Sequence, residues 1–186
     1  RVVVGKPDTQ TPIFSDEMQE VVFGPYWNVP TSIKVEEIRP YLGEETPWFF
    51  GGGGWNTSVF RRHGLRIRYG GQEVDPGTID WNHVDIRNLE IFQPPGPDNV
   101  LGRVKFVFPN KHDVYMHDTT QKQLFAQPVR AERHGCVRVQ NPEELAAVVL
   151  SYDQGWSAAR VTSAIENGYD QHVKLTQKIP VHITYF

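Results

Sequence analysis

Glycine and proline interrupt this chain so often that a helical bundle is a poor solution for it. The 186 residues include 16 Gly and 14 Pro, about a sixth of the chain against a usual combined share of about 12%. Many fall together as turns, at Gly24-Pro25, Gly70-Gly71, Asp75-Pro76-Gly77 and Pro94-Pro95-Gly96-Pro97. Between the turns lie short runs that alternate apolar and polar side chains. Leu65-Arg66-Ile67-Arg68-Tyr69 and Val104-Lys105-Phe106-Val107-Phe108 do so as half-buried strands would. Residues 1–5, 20–23, 114–117 and 179–186 are further predicted strands. Strands 104–108 and 114–117, joined by a turn at 110–113, make a hairpin. Period-two alternation puts Tyr115 and His117 on one face, Val114 and Met116 on the other.

Helical signals concentrate late in the chain. Asn141 is a suitable N-cap, Pro142 fits the first helical position, and Glu144 completes the signature before the apolar run 145–150. A second helix is predicted over 157–167, stopping at Gly168, and a short one over 35–42. Residues 33 to 92 form an insertion on a single domain spanning 1–186. Its centre is Gly51-Gly52-Gly53-Gly54, flanked by Trp48, Phe49, Phe50 and Trp55. Four glycines favour neither a helix nor a strand interior, so a mobile flap is expected there; a surface excursion is the plainer alternative.

Charge and hydropathy exclude two classes. Asp plus Glu number 22 against 19 Lys plus Arg, a net charge of −3, which lacks the basic surplus of a general nucleic-acid binder. The longest apolar run, 145–150, is far short of the ~20 residues that cross a bilayer, so no transmembrane helix is expected. The chain opens inside the strand-like run Arg1-Val2-Val3-Val4 with no signal peptide. The natural N-terminus is therefore expected upstream.

The one cysteine, Cys136, cannot close an intramolecular disulfide. A buried structural thiol is the default for such a residue. Its surroundings, Arg133-His134-Gly135-Cys136-Val137-Arg138, argue for reactivity: two arginines and a histidine favour the thiolate. Gly135 permits a turn that aims successive amides at one point, as an oxyanion hole requires. Of seven histidines, His134 is too local in an extended run, and His63, His83, His112, His172 and His182 suit surface or satisfied positions. His117, beside Tyr115 and followed by Asp118, is the candidate base. A His and a Cys at this separation are by themselves a weak signal.

Tyr115-Met116-His117-Asp118-Thr119, a spacer to 132, then Arg133-His134-Gly135-Cys136-Val137-Arg138 resembles the signature of the YkuD-type L,D-transpeptidases. Arg1-Val2-Val3-Val4-Gly5-Lys6, Gln10-Thr11-Pro12, Trp27-Asn28-Val29-Pro30, Gln93-Pro94-Pro95-Gly96-Pro97, Leu101-Gly102-Arg103 with Lys105-Phe106, and Ile179-Pro180-Val181 are similar to the larger periplasmic, YcbB-type members. The resemblance implies a mainly β fold, of the sandwich or barrel-like L,D-transpeptidase kind, with two C-terminal helices and an inserted cap. It implies Cys136 as nucleophile, His117 as base and Asp118 as the residue orienting the imidazole, in some members through its backbone carbonyl. Amides around His134, Gly135 and Cys136 would form the oxyanion hole. Arg138 would help hold the substrate or the loop. Among the other substrate-side candidates, Arg133 flanks the motif, and Trp27 and Tyr115 suit a wall for the flap to close against, with core packing the plainer reading of both. Arg133 departs from the usual Ser/Thr, so a hydroxyl hydrogen bond of relatives is missing.

The resemblance further implies 3→3 cross-linking of peptidoglycan. A tetrapeptide stem would be the donor and an amine of a second stem the acceptor, in the periplasm or cell envelope, with covalent inhibition by carbapenems. No metal or organic cofactor is called for. The rivals are a carboxypeptidase or endopeptidase using water on the same site, and a non-catalytic wall-binding domain. Relatives continue beyond both ends of this chain, so a fragment is expected.

Overall fold

The computed structural model describes residues 1–43, 55–131 and 135–185. They form two compact units, one of Arg1–Pro25 with Pro95–Phe186, the other of Tyr26–Pro94. The structure is mainly β, as the turn chemistry predicts, with ten strands in two sheets among the described residues.

The first unit is built on a six-stranded sheet of β1 (Val2–Val3), β2 (Phe14–Phe23), β7 (Val104–Val107), β8 (Met116–His117), β9 (Val137–Val139) and β10 (Gln171–Ile183). Their order is β1-β9-β8-β7-β2-β10. The pairs are antiparallel except β8 with β9, which run parallel. A parallel pair needs a crossover rather than a tight turn. Residues 118–136 supply it, with a 3-10 turn at Lys122–Ala126 whose Leu124 and Phe125 pack on Val3. The predicted hairpin of residues 104–117 is present, although β8 itself is only two residues long.

One sheet face is apolar and carries two helices. Val21, Phe23, Val104 and Phe106 are fully buried there with Ala146, Val149 and Leu150 of α3 (Pro142–Gln154) and Val161, Ala164 and Ile165 of α4 (Ala158–Asn167). Both helices bury residues at spacings of three and four, a stripe along one side. Each fully buried side chain of this kind stabilises by about 1.5–3 kcal/mol. Pro142 opens α3, but Asn141 donates to the Glu144 side chain rather than capping the backbone. Gly155, at φ 67°, ends α3. The Ser157 hydroxyl accepts from the Arg160 N–H at 3.2 Å to start α4.

Two strands run longer than their apolar patterns. β2 extends back to Phe14 through Ser15-Asp16-Glu17, and β10 starts at Gln171 rather than 179. The two strands pair from Gln171↔Phe23 to Ile183↔Phe14, with a register shift between Lys174 and Ile179. Because β10 is a sheet edge, much of it is exposed, and its sequence does not alternate cleanly. Asp153 of α3 secures the irregular stretch. Its carboxylate accepts the N–H groups of Thr176 and Gln177 at 2.8 and 2.7 Å and the Thr176 hydroxyl at 2.8 Å.

The second unit has its own four-stranded antiparallel sheet: β3 (Trp27–Asn28), β4 (Arg66–Tyr69), β5 (Gln72–Val74) and β6 (Glu90–Gln93), in the order β3-β6-β4-β5. Gly70 and Gly71, with φ of 58° and 83°, make the two-residue turn between β4 and β5, a conformation glycine adopts without a Cβ penalty. The predicted helix of 35–42 begins earlier, as α1 (Thr31–Ile33), and continues as a π turn over Lys34–Ile38 and a 3-10 turn over Arg39–Tyr41. The buried Lys34 ammonium donates to the carbonyls of Arg87 and Leu89 at 3.0 and 2.9 Å. A short helix, α2 (Ser58–Arg62), supplies Val59 and Phe60 to a core with Ile67, Trp81 and Ile91. Trp27 and Trp55 pack at the edge of this core. The expected flap glycines, with Trp48, Phe49 and Phe50, lie outside the described residues.

Burial works against the ionised Asp153, but the hydrogen bonds from Thr176, Gln177 and Gln154 outweigh it and hold the carboxyl down to about 2. Asp153→Ala should therefore destabilise the first unit by about 1 kcal/mol at neutral pH, a Tm loss of roughly 2–4 °C, once solvent screening is allowed for. A depressed folded-state pKa confers stability above the ordinary carboxyl range that is lost as the pH falls through about 2. The gap between variant and wild-type melting curves should narrow accordingly below about pH 4.

Candidate active site

The register of three short strands gathers the sequence-nominated residues. Lys105 of β7 is opposite His117 of β8, and His117 is opposite Arg138 of β9. Phe106, Met116 and Val137 are the corresponding set on the other, apolar face. Alternation places Tyr115 and Cys136, one residue before these pairs, on the same face as His117 and Arg138. The Val137 N–H donates to the Tyr115 carbonyl at 3.1 Å, which fixes the two strands where the thiol emerges.

His117 is buried, 5% exposed. Burial lowers its pKa first, and the nearby Arg138 and Lys105 cations add to this, so the imidazole is pushed down to about 4 despite the opposing hydrogen bond to Asp118. That hydrogen bond joins Nδ1 to the backbone carbonyl of Asp118. A carbonyl oxygen can only accept, so Nδ1 carries the proton and Nε2 the lone pair. A neutral imidazole in this tautomer can take a proton at Nε2.

Asp118 has two separate jobs. Its carbonyl holds the ring, while its carboxylate accepts the N–H groups of Arg103 and Thr119, at 2.9 and 2.6 Å, and pairs with the Lys122 ammonium. Gly102, at φ 63°, makes room for it: a Cβ at this position would fall on the Asp118 carboxylate. Leu101-Gly102-Arg103 thus supports the histidine from behind.

Cys136 is partly buried. Desolvation pushes its thiol pKa up, against hydrogen bonds from the backbone and side chain of Tyr115 and the positive charges of Lys105 and Arg138. Its Sγ also lies 3.9 Å from the Asp113 carbonyl, a long contact for a weak donor. Thiol and imidazole are both uncharged near neutral pH. The Tyr115 ring stands edge-on to His117, centroids 5.7 Å apart. Gly135 lies against the N-terminal segment, where a Cβ on Gly5 would come within 3.1 Å of the Gly135 Cα. The Gly5 N–H donates to Thr11 Oγ1 at 3.0 Å.

The nominated residues divide clearly. Cys136, His117, Asp118, Gly135, Arg138 and Tyr115 come together in the first unit. Trp27 belongs to the second unit, on β3, paired with Gln93. Arg133 and His134 lie outside the described residues. Sequence reasoning gave no role to Lys105, although the alternation of 104–108 already placed it opposite buried Val104 and Phe106. It also set His172 aside as a satisfied residue. His172 on β10 bonds Glu20 of β2 and Asp170 in the turn before β10, each at 3.1 Å. No cluster of three His, Cys, Asp or Glu side chains suited to a metal occurs among the described residues. Nor does any described helix have the length and apolarity to cross a membrane.

Comparison with known proteins gives this geometry its context. Over 185 residues the chain is 28% identical to a Haemophilus influenzae protein named "Putative L,D-transpeptidase". The match takes in 100% of this chain and 36% of that protein, so the chain spans about a third of its relative's length. Residues 1–168, which carry the whole His117–Cys136 arrangement, match the YkuD family, described as the L,D-transpeptidase catalytic domain. The chain belongs to the YkuD family of L,D-transpeptidase catalytic domains.

Proposed function

We propose that this domain is a cysteine L,D-transpeptidase that forms 3→3 peptidoglycan cross-links through a thioester on Cys136. The observation that carries the proposal is the strand register that sets Cys136 on the same face as a histidine whose Nδ1–H is bound to Asp118. His117 Nε2 takes the thiol proton as Sγ attacks the carbonyl of the third residue of a tetrapeptide stem. The carbon–nitrogen bond to the fourth residue, D-Ala, breaks, and the imidazolium gives its proton to the leaving amine. An amine of a second stem then attacks the thioester, transfers its proton to Nε2, and releases the thiolate, which is reprotonated. Backbone N–H groups of Gly135 and Cys136, with His134, serve the oxyanion in both steps. Arg138 and Tyr115 hold the donor beside the sulfur, with Arg133 as a further substrate contact. The reaction site is the periplasm or cell envelope.

The second unit favours an amine over water as the group that takes the acyl chain. Trp27 and Gln93 are register partners, so the chain between β3 and β6 can be replaced by a short turn without opening a gap in the backbone.

Intact-mass measurement with a carbapenem and with tetrapeptide stems checks the acylation step. A covalent adduct on Cys136 is expected, absent in Cys136→Ala, and formed about 10²–10⁴ times more slowly in His117→Ala. Equal adduct in Cys136→Ala would overturn the nucleophile; no adduct in the wild type would favour a non-catalytic wall-binding domain. Chromatography of the muropeptide products then separates transfer from hydrolysis. Excising the second unit should leave Cys136 acylation in place and move the products from cross-linked dimer towards hydrolysed tripeptide. An unchanged product ratio would remove the second unit from the mechanism.

A further inference from the structure

Lys105 lies on the same sheet face as Cys136 and has no part in the mechanism so far. It is the register partner of His117, but its Nζ is 4.0 Å from the centroid of the Tyr115 ring. A lysine serving only solubility extends into water; this one lies over an aromatic face, where a cation is held by the ring quadrupole. Tyr115 in turn hydrogen-bonds the Cys136 thiol through both its backbone and its side chain. Cation, ring and sulfur are therefore consecutive neighbours.

The charges around Lys105 point the same way. Desolvation lowers its pKa, and Cys136 is the strongest opposing influence, ahead of Glu20 on β2 and Asp170 in the turn before β10. Those two carboxylates already share His172. Among the described residues, His117 and Tyr115 near and on β8 and Arg138 on β9 also face this strip. Among the described residues, Arg138 is thus the other cation acting on the thiol.

We infer that Lys105 is a positioning residue of the thiol site: seated on Tyr115, its ammonium stabilises the negative charge that gathers on Cys136 Sγ when His117 removes the proton. In that step the S–H bond breaks, its electron pair stays on sulfur, and the proton moves to Nε2; no further reactant enters. The inference rests on the reading of Cys136 as nucleophile.

Because Cys136 is the sole cysteine, its alkylation by iodoacetamide can be followed against pH without substrate. Lys105→Met keeps the apolar stem and loses the charge, Lys105→Gln keeps a polar but uncharged end group, and Lys105→Arg keeps the cation. Thermal melts select the variants that fold. The Met and Gln variants should shift the midpoint of the alkylation profile up by about one pH unit, a roughly tenfold slower reaction near neutral pH, and Arg should restore most of it. Profiles that superimpose on wild type would overturn the inference, as would equal shifts in the charged and uncharged variants. The stem acylation assay separates the two proposals. A shifted profile without stem acylation in the wild type sinks the peptidoglycan reading alone, whereas stem acylation with an unshifted profile sinks the role of Lys105 alone.

Discussion

The hydrogen bond between His117 Nδ1 and the Asp118 carbonyl is the contact on which the site depends. A buried imidazole has two tautomers of similar energy, and only one leaves a basic nitrogen at Nε2. A backbone carbonyl makes the choice because it accepts and never donates. That carbonyl belongs to a residue that is itself pinned at its side chain by Arg103, Thr119 and Lys122 and at its N–H by Val104 of β7. The ring is thus tied to the sheet rather than to a loop. The room for this depends on Gly102, so a segment distant from the cysteine in sequence controls the base.

Charge on the polar face is arranged so that the resting pair is neutral. For His117, burial and two cations all act against protonation, and the hydrogen bond to Asp118 together with its negative charge cannot offset them. For Cys136 the influences are opposed: burial raises the thiol while Tyr115, Lys105 and Arg138 lower it, and burial prevails. A preformed thiolate–imidazolium pair is therefore disfavoured on both sides. Proton transfer belongs to the attack itself, and groups that stabilise negative sulfur matter most at that moment. The apolar face behind the strands, with α3 and α4 packed on it, keeps this polar strip rigid.

Much of this was legible in the sequence, for identifiable reasons. The helices after Asn141 and Ser157 carry capping and spacing signals that local chemistry sets, and both formed with bounds close to those expected. The hairpin of residues 104–117 shows period-two alternation and formed as well. By contrast, β2 and β10 run past their apolar segments because each completes the other's backbone hydrogen bonds, a long-range pairing that leaves little local trace. The glycine hairpin at Gly70-Gly71 was legible, whereas α2 was not, since five residues carry too little periodicity. At the site, the surroundings of the sole cysteine, elimination among the histidines and the resemblance to the YkuD-type signature singled out His117 and Cys136. Lys105 was passed over because its alternation was used to place a strand, without asking what the outward side chain faces.

The protonation state of His117 tests the central claim most directly. Nitrogen-15 NMR of the imidazole across pH, in the wild type and in Cys136→Ala, reports charge and tautomer at once. His117 is expected to remain neutral, protonated on Nδ1, from neutral pH down to about 4, and to do so in both proteins. An imidazolium at neutral pH that disappears when Cys136 is replaced would instead reveal a preformed ion pair and contradict the neutral resting site.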